Sequence, residues 1–245
     1  MNNVELKLKE AIENVFEKIP KEKVMAIYVT GSCLNNLMTE TSDIDLYVIL
    51  EQEKRNLVFG TFNSGQEHGE NDFKYMETYK FVQLLYKTNP NLLEIIFKEP
   101  VYCDAQFKEL ARFLYSNRNE IVKMNSSRYY SSAYNMSKNN YTKLKNGTGK
   151  VATGRAGKEV FNFYKAYNQA IASSKNKDLK DFVEFHGEQR DFLMSHKVRT
   201  SYSLEEEQEL LVSMEKCLEE LLELKEYYQD TKNNPELLNK MIELL

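Results

Sequence analysis

Val29-Thr30-Gly31-Ser32-Cys33 is followed, after a short polar segment, by Thr41-Ser42-Asp43-Ile44-Asp45-Leu46, and this pair of stretches decides the fold. Residues 23–30 are apolar and β-branched, which predicts a buried strand that ends at Gly31. A second strand is predicted from Asp43 to Leu50. Because alternate residues of a strand share a face, we expect Asp43 and Asp45 to project together while Ile44 enters the core.

Two carboxylates at the start of a strand repel each other unless a cation lies between them. Mg²⁺ meets that need, since it binds through one or two carboxylates together with substrate phosphates. Gly31 allows a phosphate to approach the backbone closely, and the Ser32 hydroxyl and adjacent N–H groups are natural phosphate donors. An Asp-x-Asp motif alone often marks only a solvated strand start or a turn. Combined with the Gly-Ser turn and two apolar strands, it favours a metal site.

A third carboxylate is needed if two metal ions act on a phosphoryl group and its acceptor. Asp72 is the best candidate, because it precedes a predicted strand that begins at Phe73. Alternation would place Asp72 and Lys74 on one face of that strand and Phe73 on the other. Glu70 and Glu77 are the alternatives, since strand ends read from sequence carry an error of several residues.

The order of these motifs, a Gly-Ser turn and then Ser-Asp-x-Asp-Leu, resembles the nucleotidyltransferase superfamily that includes DNA polymerase β. The segment from Asp72 through Phe81-Val82-Gln83-Leu84-Leu85 to Asn89-Pro90-Asn91-Leu92-Leu93-Glu94-Ile95-Ile96-Phe97 is similar to one branch of it, the predicted RNA-repair nucleotidyltransferases of bacteria and phages. The chain departs from that branch at Asn35-Asn36, where the family often has glycine. It also departs at Asn162 and Lys165, where the family tends to have His and Arg.

The resemblance implies an α/β (α+β) protein with a small mixed sheet, the palm-like nucleotidyltransferase core, followed by a helical C-terminal region. We expect a catalytic domain over 1–112 and a helical, substrate-binding domain over 113–245. The implied enzyme uses Mg²⁺ (or Mn²⁺) to transfer a nucleoside monophosphate from a nucleoside triphosphate to a hydroxyl, most simply an RNA 3′ end. Asp43, Asp45 and Asp72 would hold the metal, and Gly31 and Ser32 would hold the β- and γ-phosphates.

Composition places the chain among globular proteins, with 42% hydrophobic and 29% charged residues and a net charge of −4. No apolar run approaches the roughly 20 residues of a membrane span. The N-terminus carries no secretory pattern, so the expected location is the cytoplasm of a bacterium or of a phage-infected host. The three cysteines are too dispersed for a disulfide framework or a zinc site.

The middle of this acidic chain is basic and rich in tyrosine. Residues 112–165 contain eleven Lys and Arg against Glu120 and Glu159, with six tyrosines between them: Tyr115, Tyr129, Tyr130, Tyr134, Tyr141 and Tyr164. Such a surface can hold phosphates and stack bases. The alternative is a set of helices with solvated cations and half-buried tyrosines.

Lys158, Asn162 and Lys165 lie at i, i+4 and i+7, on one face of a predicted helix over 155–172. The glycines Gly154 and Gly157 stand at the entry to that helix. If this face meets the carboxylates, the two lysines would neutralise a triphosphate, as cations do in phosphoryl-transfer sites. The alternative is a polar outer face.

Other segments have a simpler reading. We predict a covering helix over 4–19, a strand or hairpin within 51–69, and helices over 78–86, 91–97, 104–115, 118–124, 126–144, 178–194 and 204–228. Glu94 stands in an apolar run and is expected to pair with an Arg or cap a helix. His68 receives no role. The sequence leaves open the oligomeric state, a protein acceptor as in antitoxins that adenylylate their toxins, and a non-catalytic binding role.

Overall fold

The computed structural model describes residues 3–68, 72–174, 183–226, 228 and 234–245. The chain forms two compact units, Met1–Met124 with Asn233–Leu245, and Asn125–Lys232. Within the described ranges, none of the helices combines the length and apolar character needed to cross a bilayer.

A five-stranded mixed sheet forms the centre of the first unit, as the sequence predicted. Its strands are β1 (Val24–Thr30), β2 (Asp45–Leu50), β3 (Ser64–Glu67), β4 (Phe73–Glu77) and β5 (Tyr102–Cys103). Their order across the sheet is β3-β4-β2-β1-β5. β2 runs parallel to β4, and the other neighbours are antiparallel. The parallel pair places the start of β2 beside the start of β4.

Helix α1 (Asn3–Lys18) covers one face of the sheet. Its buried residues Ala11 and Val15 join a core cluster with strand residues of β1, β2 and β4, among them Ile27, Leu46 and Phe73. The predicted covering helix is therefore present. Ile44 also belongs to this cluster, so the residue between the two aspartates enters the core as expected.

The opposite face of β1 packs on short helices. These are α2 (Gly31–Leu34), α4 (Thr78–Tyr86) and α5 (Pro90–Ile95). Tyr28 lies on this face because it alternates with Ile27, and its ring centroid is 6.1 Å from that of Phe81. Strand β1, which ends at the Gly31 turn, is thus packed against other elements on both of its faces.

The segment 51–69 differs from its prediction. Residues Lys54–Phe59 form helix α3, and the strand of this segment is only Ser64–Glu67. Gly60 ends the helix in the left-handed conformation, with φ at 63°. The apolar run Leu57-Val58-Phe59 suggested a strand, yet all three side chains are exposed. Apolar residues on a short exposed helix have no burial pattern from which the sequence alone can assign them.

The first unit extends beyond the boundary expected after residue 112. Helices α6 (Lys108–Ser116) and α7 (Arg118–Lys123) belong to it, because Leu114 and Ile121 are fully buried there. The C-terminal segment also returns to it, where Leu237 and Met241 of the last helix (Pro235–Glu243) are buried. The domain boundary by sequence was therefore too early and missed this return.

The second unit is helical, as predicted. It contains α8 (Ser126–Lys145), α9 (Ala156–Ser174), α10 (Gly187–Lys197) and α11 (Leu204–Glu223). The C-terminal helix Pro235–Glu243, which belongs to the first unit, is α12. Ala133, Ala170 and Leu221 form a small core. The helix predicted over 178–194 is described only in part, since 178–182 lie outside the described residues.

Candidate functional site

The strand register brings Asp45 beside Asp72. Leu46 pairs with Phe73 in the parallel ladder, and the Leu46 N–H donates to the Asp72 carbonyl oxygen at 3.3 Å. Asp45 is the first residue of β2, and Asp72 directly precedes β4. The two aspartates are thus neighbours at one edge of the sheet, although 26 intervening residues separate them in the chain.

Gly31 lies directly against the Asp45 carboxylate. Thr30 pairs with Asp45 across β1 and β2, and Gly31 follows with φ at +64°. A Cβ at Gly31 would lie 2.4 Å from Asp45 Oδ2, which is far inside van der Waals contact. The turn therefore requires glycine for two reasons: its left-handed backbone conformation and the close approach of the Asp45 carboxylate.

Asp43 is exposed and lies in the loop before β2, which starts two residues later than predicted. This loop is held in place by Ser42 and Lys7. The Thr39 N–H donates to Ser42 Oγ at 2.9 Å, and Lys7 Nζ donates to the carbonyl oxygens of Glu40 and Ser42 at 3.1 and 3.2 Å. Ser42, part of the Ser-Asp-x-Asp motif, thus closes a turn that positions the residue after it.

Of the three candidates for the third carboxylate, Asp72 and Glu77 lie at opposite ends of β4. Asp72 lies 3.4 Å from His68 Nδ1, so His68 has a partner at this edge that its sequence context did not suggest. Glu77 is buried at the opposite end of β4, about 16 Å along the strand. It accepts hydrogen bonds there from Gln52 at 2.8 Å and Asn56 at 2.5 Å. Glu70 lies outside the described residues.

Two lysines belong to this region. Strand alternation already placed Lys74 on the face of Asp72, whereas Lys98 was not identified from the sequence. Lys98 and Asp45 both act on the Cys33 thiol, whose pKa is raised by burial, lowered by Lys98 and raised by Asp45. Lys98 and Asp45 are thus both close enough to the Cys33 thiol to influence its charge. Lys74 Nζ lies 5.7 Å from the centroid of the Tyr47 ring, on the strand face that alternation also assigns to Asp45 and Asp72. A local pattern search cannot find Lys98, because it follows an apolar helix with no motif of its own.

A buried pair supports the Gly31 turn. Asn35 and Glu94 are 1% and 3% exposed, and Asn35 Nδ2 donates to Glu94 Oε2 at 3.1 Å. The Asn35 N–H also caps α2 by donating to the Gly31 carbonyl oxygen. Glu94 thus has an amide partner where the sequence suggested an Arg or a helix cap. Asn36 has φ at 58°, a conformation that asparagine tolerates and that glycine would adopt freely.

We expect Asn35→Ala to destabilise the protein by about 1.5–3 kcal/mol, because the buried Glu94 carboxylate loses a hydrogen bond. Urea denaturation of the variant measures this change in the free energy of unfolding. Asn119→Ala is the matched control, since Asn119 is an exposed asparagine on α7. Equal losses in the two variants would contradict a supporting role for the Asn35–Glu94 pair.

Lys158, Asn162 and Lys165 belong to the helical unit, where all three are half-buried on one face of α9. Lys158 adjoins further cations. Burial lowers the pKa of Lys150, and Lys158 lowers it further. The Lys150 N–H donates to Glu159 Oε1 at 2.9 Å, so a buried carboxylate anchors the glycine-containing loop at this point.

Half of the six tyrosines in the basic middle are buried in the helical unit. Tyr129, Tyr130 and Tyr164 are at most 7% exposed and serve the helical core. Tyr141 donates to Glu215 through its hydroxyl. For Tyr129, Tyr130 and Tyr164 the expected basic, aromatic surface is therefore wrong, and the alternative of tyrosines packed between helices is nearer to the structure.

The carboxylates fit a hard divalent cation by their chemistry. Mg²⁺ takes oxygen ligands and often needs only one or two carboxylates, with water and substrate phosphates completing its shell. Asp45 and Asp72 occupy adjacent strand ends, and Asp43 lies two residues before β2. Across the part of the chain that the structure describes, no three His, Cys, Asp or Glu side chains are already grouped as a metal site.

Comparison with known proteins finds one family model that matches most of the first unit. Residues 8–119 match the model of a family described as the nucleotidyltransferase domain, which supports nucleotidyl transfer as the general chemistry. None of the curated proteins compared with the chain matches it. A solved structure of a nucleotidyltransferase-like protein from Exiguobacterium sibiricum is similar at 11% identity and a TM-score of 0.34, over 90% of this chain and 78% of that one.

Proposed function

From the premise that residues 8–119 match the nucleotidyltransferase domain, we propose that this protein is a nucleotidyltransferase that moves a nucleoside monophosphate from a nucleoside triphosphate to a hydroxyl. The observation that carries the proposal is the position of the Asp45 carboxylate, which lies between the Gly31 turn and Asp72. This arrangement joins a phosphate-accessible backbone to adjacent carboxylates.

In the proposed reaction, the acceptor oxygen attacks the α-phosphorus, the bond to pyrophosphate breaks, and pyrophosphate leaves. Asp43 and Asp45 would hold the Mg²⁺ (or Mn²⁺) that binds the triphosphate, and Asp72 would join them at a second ion beside the acceptor. A divalent ion in such a site neutralises the phosphates and lowers the pKa of the attacking hydroxyl. Gly31 and Ser32 would bind the β- and γ-phosphates through backbone N–H groups and the Ser32 hydroxyl.

Cations near the triphosphate would offset its charge. Lys98 is proposed for this role because, like Asp45, it influences the pKa of Cys33, which directly follows the Gly31-Ser32 turn. Lys158, Asn162 and Lys165 remain proposed triphosphate ligands from the helical unit, supported by their shared, half-buried face on α9. The helical region would thus contribute to substrate binding.

We expect Lys98→Ala to raise KM for the nucleoside triphosphate about tenfold, equivalent to about 1.4 kcal/mol, with a smaller effect on kcat. Steady-state kinetics at fixed acceptor concentration measures both constants. Lys123→Ala, which removes an exposed lysine from α7, is the control and should leave KM unchanged. An unchanged KM in Lys98→Ala would remove this residue from the site.

The proposed acceptor is an RNA 3′ end, as in RNA or tRNA repair. Its support is the resemblance of the segment from Asp72 to Phe97 to the RNA-repair branch, together with the excess of Lys and Arg over 112–165. The same resemblance supports a cytoplasmic setting in a bacterium or a phage-infected host. Phosphate contacts release counterions, so binding of an RNA acceptor should weaken steeply with salt.

The test is incubation of the purified protein with Mg²⁺, each α-labelled nucleoside triphosphate in turn, and total cellular RNA. RNA and protein are then resolved on one gel. Label in an RNA band supports the proposed acceptor and identifies the nucleotide. Label only in a protein band would support a protein adenylyltransferase. Nucleotide binding without label in any band would support a non-catalytic module.

A further inference from the structure

The helical unit contains a cleft that the proposed catalytic chemistry does not use. Its volume is about 370 Å³, and its walls include Tyr164 of α9, Phe192 and His196 of α10, and Arg199 and Tyr202 between α10 and α11. We call these five residues the aromatic cleft. Four of the five are aromatic rings and the fifth carries a guanidinium group.

The rings are arranged in contact with one another. The Phe192 ring centroid lies 4.8 Å from that of Tyr164 and 4.6 Å from that of His196, in edge-on geometry. Tyr164 and His196 are nearly parallel, with an interplanar angle of 20°. Phe192 nevertheless remains 42% exposed. An aromatic surface therefore stays open to solvent at this position after the packing of the unit is complete.

Neighbouring polar contacts hold the walls in place. His196 Nδ1 and the Tyr202 hydroxyl are 2.7 Å apart, and the Tyr164 hydroxyl is 2.9 Å from Ser213 Oγ. Arg199 lies 5.0 Å from the centroid of the Tyr202 ring and pairs with Glu206 at 2.8 Å. Side chains held in this way lose little rotamer entropy when a ligand binds.

Backbone packing fixes the same region. A Cβ at Gly157 would lie 2.1 Å from the His196 carbonyl oxygen and 2.6 Å from that of Arg199. The end of α10 therefore sits directly on the start of α9. Burial, and then the nearby Arg199, lower the pKa of His196, which favours the uncharged form of this ring.

The charges of the cleft select among ligands. Glu206 and Glu209 line it together with the one cation Arg199, so the lining carries one more negative than positive charge. This balance disfavours phosphate groups inside the cleft. Flat heterocycles stack well on Tyr, Phe and His rings and on arginine planes, and proteins that bind single strands use this combination. The volume and the ring faces suit one such heterocycle.

We propose that the aromatic cleft binds one unpaired nucleobase of a substrate of this protein. The inference rests on the proposed nucleotidyl transfer, which requires a nucleotide and, with an RNA acceptor, an unpaired end. A nucleobase is the group that both possible ligands have in common. It belongs either to the acceptor strand or to the nucleoside triphosphate, and the experiment below distinguishes these sources.

The test uses Phe192→Trp, because the chain contains no tryptophan and the variant therefore carries a single tryptophan, in the cleft, whose fluorescence is excited selectively over that of tyrosine. It is made together with Asp45→Asn, so that binding is read independently of transfer. The probes are a short single-stranded RNA, the same strand made abasic, a nucleoside triphosphate, and inorganic tripolyphosphate. A stacked base quenches the tryptophan.

Saturable quenching by the RNA, with none by the abasic strand or tripolyphosphate, would support the proposal with the acceptor as the source. Quenching by the nucleoside triphosphate alone would support it with the nucleotide as the source. Equal quenching by the abasic strand, or no quenching by any ligand that carries a base, would overturn it. Because this readout needs no catalysis, inactivity of the wild-type enzyme would count against nucleotidyl transfer and not against the cleft.

A second pair of variants tests the walls in the same single-tryptophan background. Tyr202→Ala removes a ring and should weaken base binding roughly tenfold to a hundredfold. Val212→Ala truncates an exposed residue of α11 outside the cleft and should leave the midpoint unchanged. Thermal unfolding verifies that both variants are folded. A folded Tyr202→Ala variant with an unchanged midpoint would overturn the proposal.

Discussion

Replacing Asp45 with asparagine is expected to lower nucleotidyl transfer by about a thousandfold or more while leaving the fold intact. The carboxylate lies beside both Gly31 and Asp72, and in the proposed site it would hold a cation against the triphosphate. Loss of such charge stabilisation costs several kcal/mol in the transition state. The substitution conserves side-chain shape, and the half-buried position of Asp45 is kept. Initial rates and urea denaturation measure the two effects separately.

Asp43→Asn should reduce activity in the same direction, because the motif assigns both carboxylates to one cation. Asp191→Asn is the control, as Asp191 is an exposed aspartate of the helical unit with a 77% exposed side chain. It should retain wild-type rates. Wild-type activity in both Asp43→Asn and Asp45→Asn would refute the proposed site.

Gly31→Ala is expected to reduce activity by roughly a hundredfold and to lower stability by about 1–3 kcal/mol. A left-handed backbone costs an alanine about 1–2 kcal/mol. The new methyl group would also meet Asp45 Oδ2 at 2.4 Å, so the carboxylate must move. Displacement of a catalytic group by about 1 Å can cost a hundredfold in rate. Kinetics and denaturation together measure the two consequences.

Gly60→Ala is a closely matched control for this prediction. Gly60 has φ at +63°, and nothing lies within 4 Å of the position of its Cβ. The variant therefore incurs the same backbone strain without a steric clash, and should lose stability but keep its activity. If Gly31→Ala lost no more activity than Gly60→Ala, the close approach to Asp45 would have no functional importance.

Much of the sheet was predictable because its signals are local. The apolar run before Gly31 and the alternation after Asp43 indicated β1 and β2, and the segment from Phe73 indicated β4. Two other elements lacked such signals, since the two-residue β5 is too short for a pattern and α3 exposes its apolar residues. Helix α12 did have local signals that were missed: Asn234 caps it, Pro235 is its first residue, and Leu237 and Met241 are four residues apart.

The residues of the candidate site also differ in whether a local sequence signal identifies them. Gly31, Asp43 and Asp45 stand out by residue type and spacing in one short stretch. Lys98 and the Asn35–Glu94 pair do not, because what makes them relevant is their position relative to residues that are distant in the sequence. The aromatic cleft was invisible for the same reason, since Tyr164 and Tyr202 lie on different elements.

The sequence by itself determined two strands, the glycine turn between them, and the pair of aspartates at the start of the second strand. Strand alternation and glycine conformation are set by neighbouring residues, so these features could be predicted locally. The sequence favoured Asp72 as the third carboxylate but left Glu77 open, and the tertiary structure decided between them by placing Asp72 beside Asp45. The tertiary structure also decided that a buried asparagine partners Glu94 and that the aromatic cleft forms. The physical reason is that burial of apolar surface selects strand order, register and helix packing across the whole chain, and these choices bring together side chains that are far apart in sequence.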